Sequence, residues 1–466
     1  MEKESADYIL RLTPSPETQI LYNNLIARAK AETGFDGITS LFDSLDGLVL
    51  TANYSQGAAL QNIIQNKYHP TIITESPGWF VKNKGIKGSA TFKMDSNFNP
   101  FDGGEYKFKA NDNAFGCYLN SNVREVKGLI SNLDSNSAGY ELRTHPNGCI
   151  SQQGNSVSQS CNAVDCTGGF STRRTPNGDN SPYKNGKQRM ILVNDSVTVT
   201  PNKTFKLFCR DIGGTYSLNS LARMAFYWFG SSNVDAQKLE RIVIEEYLKP
   251  IGAALTKRVI FDGNSFFDSM TMPTKVMDLL WANGIECTSL FNSVFGIPIT
   301  TMITNAPTKI DAFKEDYFDK EVFLFWELNN SMRGATADVD TVFNNLKTYF
   351  DARRAAGLNM PIVCNTCPPY ASTNTVSGIY PSKRDNQSDI YDATKINGKI
   401  RSGLATLGVQ ACSDENYDTI MLDSLGVAGV GELNTTYFQP DGHMTTVGYN
   451  YVAQNHLFPK ALTYLS

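Results

Sequence analysis

The spacing of apolar and polar positions changes twice along the chain. From Met1 to about Leu48 it is helical. Ser15-Pro16 offers an N-cap followed by proline at the first helical position, and Leu21, Leu25, Ile26 and Ala29 then recur on one face. A second short helix is predicted over Ile38 to Leu45. A helical pair this small needs a surface to pack on, either the next domain or a partner chain.

From about Asp46 to Gly252 the chain is rich in Gly, Asn, Ser and Thr, with short alternating runs between turn signals. SATFKM (Ser89 to Met94), EYKFKA (Glu105 to Ala110), SVTVTP (Ser196 to Pro201), TFKLFC (Thr204 to Cys209) and ARMAFYWFG (Ala222 to Gly230) read as strands. Many short strands predict an all-β sandwich or jelly roll. One helix closes the stretch, Asp235 to Leu248, with Leu239, Ile242 and Val243 inward and Pro250 ending it.

From about Lys257 to Ser466 continuous apolar runs alternate with helical stretches. RVIFDG, CTSLFNSV, EVFLFWEL and MPIVCNTC read as buried parallel strands, with TIMLDS a candidate fifth. Helices are predicted at Phe266 to Asn283, Val339 to Ala355, Asp389 to Leu407 and Thr445 to Leu465, the last kinked or shortened by Pro459. This alternation predicts an α/β fold with a parallel sheet, whose site lies at the carboxyl ends of the strands. The predicted boundaries are 1–47 (helical segment), 48–252 (β-sandwich) and 256–466 (α/β domain).

Composition narrows the function classes. A length of 466 residues exceeds one ordinary core and fits several domains. The formal net charge is −4 and no block of like charge occurs, which argues against nucleic acid or an anionic membrane as main partner. The longest dense apolar stretch, Val322 to Trp326, is strand-sized, so no membrane span is expected. The start MEKESADYIL lacks the pattern of a signal peptide, so export would follow another route. Nine cysteines, an odd count, do not make a disulfide scaffold. Cys161 and Cys166 are close enough to invite a loop bridge. Cys364 and Cys367 form a lone CxxC that reads as small apolar residues at a strand end, not as a metal or redox site.

The candidate chemistry lies in the third segment. Ser265 follows the first strand at the entry to a helix, where its Oγ faces the crevice and its N–H can meet a developing oxyanion. Gly263 allows the turn. The tripeptide Gly154-Asn155-Ser156 repeats the same residues without a strand before or a helix after, so context, not composition, singles out Ser265. A serine nucleophile needs a base. Of His69, His145, His443 and His456 only the last two lie in this segment, and His456 falls within the final helix. His443 sits in a polar loop with Asp441 beside it, a base with a candidate orienting acid. Asn329, after the third strand, can supply a side-chain donor, and Gly296, after the second, a backbone one. Taken singly, each of these residues also reads as a turn.

Together, FDGNS resembles block I of the SGNH hydrolase family, NSVFGIPITTM its block II glycine, WELNN its block III, and DGHMTTVGYNYVA block V with the closing helix. The resemblance implies a three-layer, flavodoxin-like domain. It implies Ser265 as nucleophile, His443 and Asp441 as the rest of a triad, and Ser265, Gly296 and Asn329 as oxyanion donors, with no cofactor or metal. Two departures stand. Block III reads Glu327-Leu328-Asn329-Asn330 where the family has Gly-x-Asn-Asp. Block V reads Asp441-Gly442-His443, one residue shorter than Asp-x-x-His. Asp441 reaching His443, a backbone carbonyl in its place, and an impaired triad all stay open.

Further forward, YNNLIARAKAETG, FDSLDGLVLTANYSQGAALQNI and the β-rich stretch resemble a concanavalin A-like (laminin G-like) module with a helical preface, as in phage virion proteins. This implies a glycan or polysaccharide partner, other virion proteins docked through the N-terminal helices, a homo-oligomer, and a place on the virion surface after synthesis in the host cytoplasm. The enzyme expected is an esterase acting on acylated carbohydrate. The alternative is a non-catalytic glycan-binding or structural virion protein with a degenerate SGNH domain. Most of the 21 Tyr and 26 Phe are expected in the core.

Overall fold

The computed structural model describes all residues except 1–2, 136–137, 147, 155–158, 161–162, 189–199, 213, 333–337, 368–393, 414–433, 435 and 440–442. It divides into two compact units, Met1–Thr256 and Lys257–Ser466.

In the first unit, Ser15 Oγ accepts the Thr18 N–H at 3.4 Å and starts helix Pro16–Ala31. A helix over Lys3–Leu12 precedes it. The two meet through Tyr8 and Tyr22, whose rings are edge to face at 4.7 Å. Tyr22 in turn stacks on Tyr247 at 5.4 Å, and Arg28 bonds Glu245 and Glu246 at 2.5 and 2.8 Å. The helical segment therefore packs on the closing helix of its own unit, Ala236–Val243, which continues as a π-turn over Ile244–Leu248. Asp235 caps that helix, and Leu239, Ile242 and Val243 are buried.

Ile38 to Leu45 is not a helix. A 3₁₀ turn, Phe42–Ser44, leads into strand Leu45–Leu50, which pairs antiparallel with Arg223–Gly230 and crosses the boundary drawn at 47/48. All six of its residues are buried, which hides the alternation that would mark a strand.

Two mainly antiparallel sheets, of eight and nine strands, make up the rest. Lys93–Asp95, Lys206–Leu207 and Arg223–Gly230 fall within or beside predicted runs. Glu105 to Ala110 forms no strand beyond a Lys109–Asp112 bridge, and Ser196 to Val199 lie outside the described residues. One aromatic core takes side chains from both sheets. Phe98 lies at its centre, 4.8 to 6.2 Å from the rings of Tyr106, Phe108, Phe205 and Phe229.

The second unit is built on five parallel strands, Lys257–Gly263, Thr288–Ser293, Lys320–Trp326, Ile362–Cys364 and Ala411–Cys412. Their order across the sheet is second, first, third, fourth, fifth. The order turns back at the first strand, which opens a crevice at its carboxyl end. The fifth strand has only two residues, too few to read as an apolar run. The TIMLDS candidate lies outside the described residues.

Helix Val339–Ala355 has the bounds predicted for it. Helix Phe266 to Asn283 is instead broken into Ser265–Asp268 and Thr271–Ala282, with Met270 at φ 59° between them. The break suits Pro273, which lacks an N–H and fits the first turn of a helix but not its interior. Likewise Pro459 sits at the start of Phe458–Leu465, after Thr446–Val452 and a π-turn over Ala453–Leu457. The Asp389 to Leu407 stretch is described from 394 onward and holds Ile396–Ser402 and Leu404–Leu407. One helix, Ile299–Lys309, was not read in the sequence. Among the described residues no helix is long and apolar enough to cross a membrane.

Candidate active site

Gly263 pairs with Ser293 on one neighbouring strand and with Trp326 on the other. Three strands thus end level, and the loops that follow them open on one rim. Gly263 is required by close approach. A Cβ there would lie 2.7 Å from the Trp326 carbonyl oxygen and 2.8 Å from the Phe267 ring.

Asn264 organises this rim and is fully buried. Its N–H donates to Trp326 O at 3.0 Å, and its Oδ1 accepts the Phe266 N–H at 3.3 Å, capping the short helix. Its Nδ2 donates to Glu327 O at 2.7 Å and to Asn329 Oδ1 at 2.6 Å. Ser293 Oγ ties the second loop in by donating to Asn264 O at 2.6 Å.

Ser265 is the first residue of that helix and is 7% exposed. His443 Nε2 lies 3.1 Å from Ser265 Oγ, within hydrogen-bond reach. The His443 ring also meets Phe266 at 5.5 Å and stacks on Phe295 at 6.1 Å. Its loop is held by backbone bonds, Gln439 N–H to His443 O at 2.7 Å and Thr445 N–H to Tyr437 O at 2.9 Å.

The donors named from the sequence have a common property. Because Asn329 Oδ1 is an acceptor for Asn264, its Nδ2 is left as a donor. That Nδ2, the Ser265 N–H and the Gly296 N–H have no hydrogen-bond partner among the described residues. Gly296, at φ 75°, sits in the exposed turn beside Phe295. Asp441 lies outside the described residues.

The other three histidines serve elsewhere. His69 bonds Asn62 and Asn66 in the first unit, His145 ends a strand there, and His456 lies in the terminal π-turn against Tyr451. Among the described residues no group of His, Cys, Asp and Glu is placed to hold a metal ion. Cys364 and Cys367 form no disulfide and pack into the apolar core of the unit. Cys166 forms no disulfide among the described residues, and Cys161 lies outside them.

No family model and no curated protein matches the chain. Among solved structures it is similar to a lipase/acylhydrolase from Enterococcus faecalis, at 16% identity and TM-score 0.31, over 42% of this chain and 92% of that one. A GDSL-like lipase from Bacteroides thetaiotaomicron is similar at 15% identity and TM-score 0.31, over 47% and 97%. The receptor-binding domain of botulinum neurotoxin D is similar at 13% and TM-score 0.32, over 44% and 54%.

Four residues of the rim were not singled out as functional in the sequence. In the sequence Asn264 is only part of a tripeptide, Phe266 a helix position and Phe295 part of a loop. Glu327 stands there only as a departure from block III. It is fully buried, and burial pushes its carboxyl up to about 7. Its Oε1 accepts the Ser331 N–H at 2.9 Å, while its Oε2 has no partner among the described residues. One strand over, buried Asp262 accepts from Asn292 Nδ2 at 2.7 Å and from the Tyr349 hydroxyl.

Proposed function

We propose that this protein is a serine esterase of the SGNH type, acting on acyl esters of carbohydrate. The observation that carries the reading is the 3.1 Å contact between His443 Nε2 and Ser265 Oγ at the carboxyl ends of a parallel sheet. Ser265 Oγ attacks the ester carbonyl while His443 Nε2 takes its proton. The carbonyl oxygen becomes an oxyanion, received by the Ser265 and Gly296 N–H groups and Asn329 Nδ2. His443 returns the proton to the leaving alkoxide, and water, deprotonated by the same imidazole, then frees the acid and restores Ser265. Asp441 is assigned the orienting role at the second imidazole nitrogen. The strand order supports a flavodoxin-like layout for this unit. The two sheets over one aromatic core support a concanavalin A-like sandwich for the other, with adhesion to glycan as its role on a virion surface.

Ser265→Ala is expected to lower hydrolysis of an activated acetyl ester by about 10⁴-fold or more, with an unchanged circular dichroism spectrum. Absence of turnover by the wild type on model esters and on acylated polysaccharide would sink the reading. Glycan binding that survives Ser265→Ala, without any turnover in the wild type, would favour the non-catalytic alternative.

A further inference from the structure

Glu327 stands at the end of the third strand, two residues before Asn329, and every polar contact it makes leads back into the rim. Its carbonyl oxygen receives Asn264 Nδ2, whose other bond fixes Asn329. Its N–H donates to Asn365 Oδ1 at 3.0 Å, tying the rim to the fourth strand. Its Oε1 receives the Ser331 N–H, and Ser331 Oγ receives the Ile299 N–H at 3.0 Å, at the start of the helix that follows the Gly296 turn. The side chain thus links the two loops that carry Asn329 and Gly296.

The carboxyl also has no use as an ordinary structural charge. Oε2 is buried without a partner, and among the described residues no cation or second carboxylate pairs with Glu327. The groups that reach it are Asn264, Asn365, Asn330 and Ser331, all neutral. The other titratable groups of the site are engaged elsewhere, Asp262 with Asn292 and Tyr349, and His443 with Ser265.

We propose that Glu327 is a positioning residue that sets the alkaline limit of the esterase: it holds the Asn329 and Gly296 loops in place in either protonation state, and in its charged state it opposes the oxyanion those loops receive. This rests on the esterase reading. The Oε1 bond to Ser331 needs only a lone pair, so it survives protonation. Charge is what changes. A buried carboxylate in a low-dielectric site repels a developing oxyanion, whereas the neutral acid does not. With burial holding the carboxyl near 7, the neutral form persists at mildly acidic pH.

The test is the pH profile of kcat in the full chain for wild type, Glu327→Gln and Glu327→Ala, on a model acetyl ester. The wild type is expected to lose about tenfold in kcat between about pH 6.5 and 9. Glu327→Gln keeps the Ser331 bond without the charge, so it should match the wild type at low pH and lose the alkaline fall. Glu327→Ala frees the Ser331 N–H and should lower kcat at every pH. A second readout is thermal stability. A carboxyl whose folded pKa is raised stabilises fully below its unfolded value near 4.5, and that contribution is lost as pH rises through about 7. The Tm of Glu327→Gln relative to wild type should therefore climb across that window. Turnover with superimposable wild-type and Glu327→Gln profiles overturns this role alone. Absence of wild-type turnover at every pH overturns the esterase reading and this role with it.

Discussion

In the β-rich unit Lys184 and Asp165 are both fully buried and meet at 3.1 Å, whereas in the α/β unit Glu327 is as deeply buried and its Oε2 meets no partner among the described residues. The first arrangement recurs within its unit, where buried Glu141 lies 2.9 Å from Arg210 and 3.5 Å from Arg143. The α/β unit also pairs its framework charges, Arg353 with Asp311 at 2.6 Å and Arg258 with Glu321 at 2.5 Å. Glu327 departs from this at the strand ends, two residues from Asn329. An isolated buried charge costs several kcal/mol unless it is neutralised, and neutralising it by protonation leaves a group that titrates near neutral pH. Paired charge holds a frame in one state, and an unpaired carboxyl gives a site two.

That contrast can be broken first in the frame. Asp165→Ala removes the carboxylate that meets buried Lys184 at 3.1 Å, while the Thr167 carbonyl oxygen stays. It is expected to destabilise the β-rich unit by about 3–5 kcal/mol. Hydrogen exchange in strand Asn180–Lys184 reads the loss, and esterase activity at low temperature should not change. Unaltered protection of that strand would remove the pair from the frame.

Asn329→Ala is the matching change in the site and should separate activity from stability. Loss of one oxyanion donor lowers kcat by about 10²–10³-fold. The fold should hold to within about 1 kcal/mol, because Asn264 Nδ2 keeps its bond to Glu327 O when Asn329 Oδ1 is gone. Parallel measurement of kcat, KM and the urea midpoint decides it. A large stability loss with little change in kcat would make Asn329 a structural residue.

The frame was legible in the sequence where burial is two-sided and the segment long. Val259–Phe261 and Val322–Trp326 are buried on both faces, so they read as unbroken apolar runs, and Val339–Ala355 carries a full helical stripe. It was illegible where local signals conflict. Leu45–Leu50 is entirely buried and follows a 3₁₀ turn, which together imitate a short helix. Ile299–Lys309 is rich in β-branched residues and holds Pro307, though Ile299, Met302 and Ala306 show its inward face. The site divides in the same way. Ser265 and His443 announce themselves by residue type at strand ends. The placement of Glu327 depends on bonds from Asn264 and Ser331 and on one to Asn365, the first and last of these distant in sequence, and no spacing of residues encodes an absent partner.

Phe295 offers the smallest effect and the finest resolution of the comparison. In the β-rich unit phenylalanine serves the core, as Phe98 does among the rings of Tyr68, Tyr106, Phe108, Phe205 and Phe229. Phe295 is 69% exposed, yet its ring lies 18° from parallel with His443. So large an exposed ring adds little to folding, and the ring it stacks on is that of the proposed base. Stacking of this kind is worth about 0.5–1.5 kcal/mol. Phe295→Ala should therefore lower kcat/KM by a factor of about 2 to 12, with no change in the unfolding midpoint. Phe295→Tyr should restore it, since the tyrosine ring stacks equally well and its hydroxyl meets solvent. If Phe295→Ala instead destabilised the α/β unit and left kcat/KM untouched, the ring would belong to the frame, and the division between paired frame and poised site would have to be redrawn at the second strand.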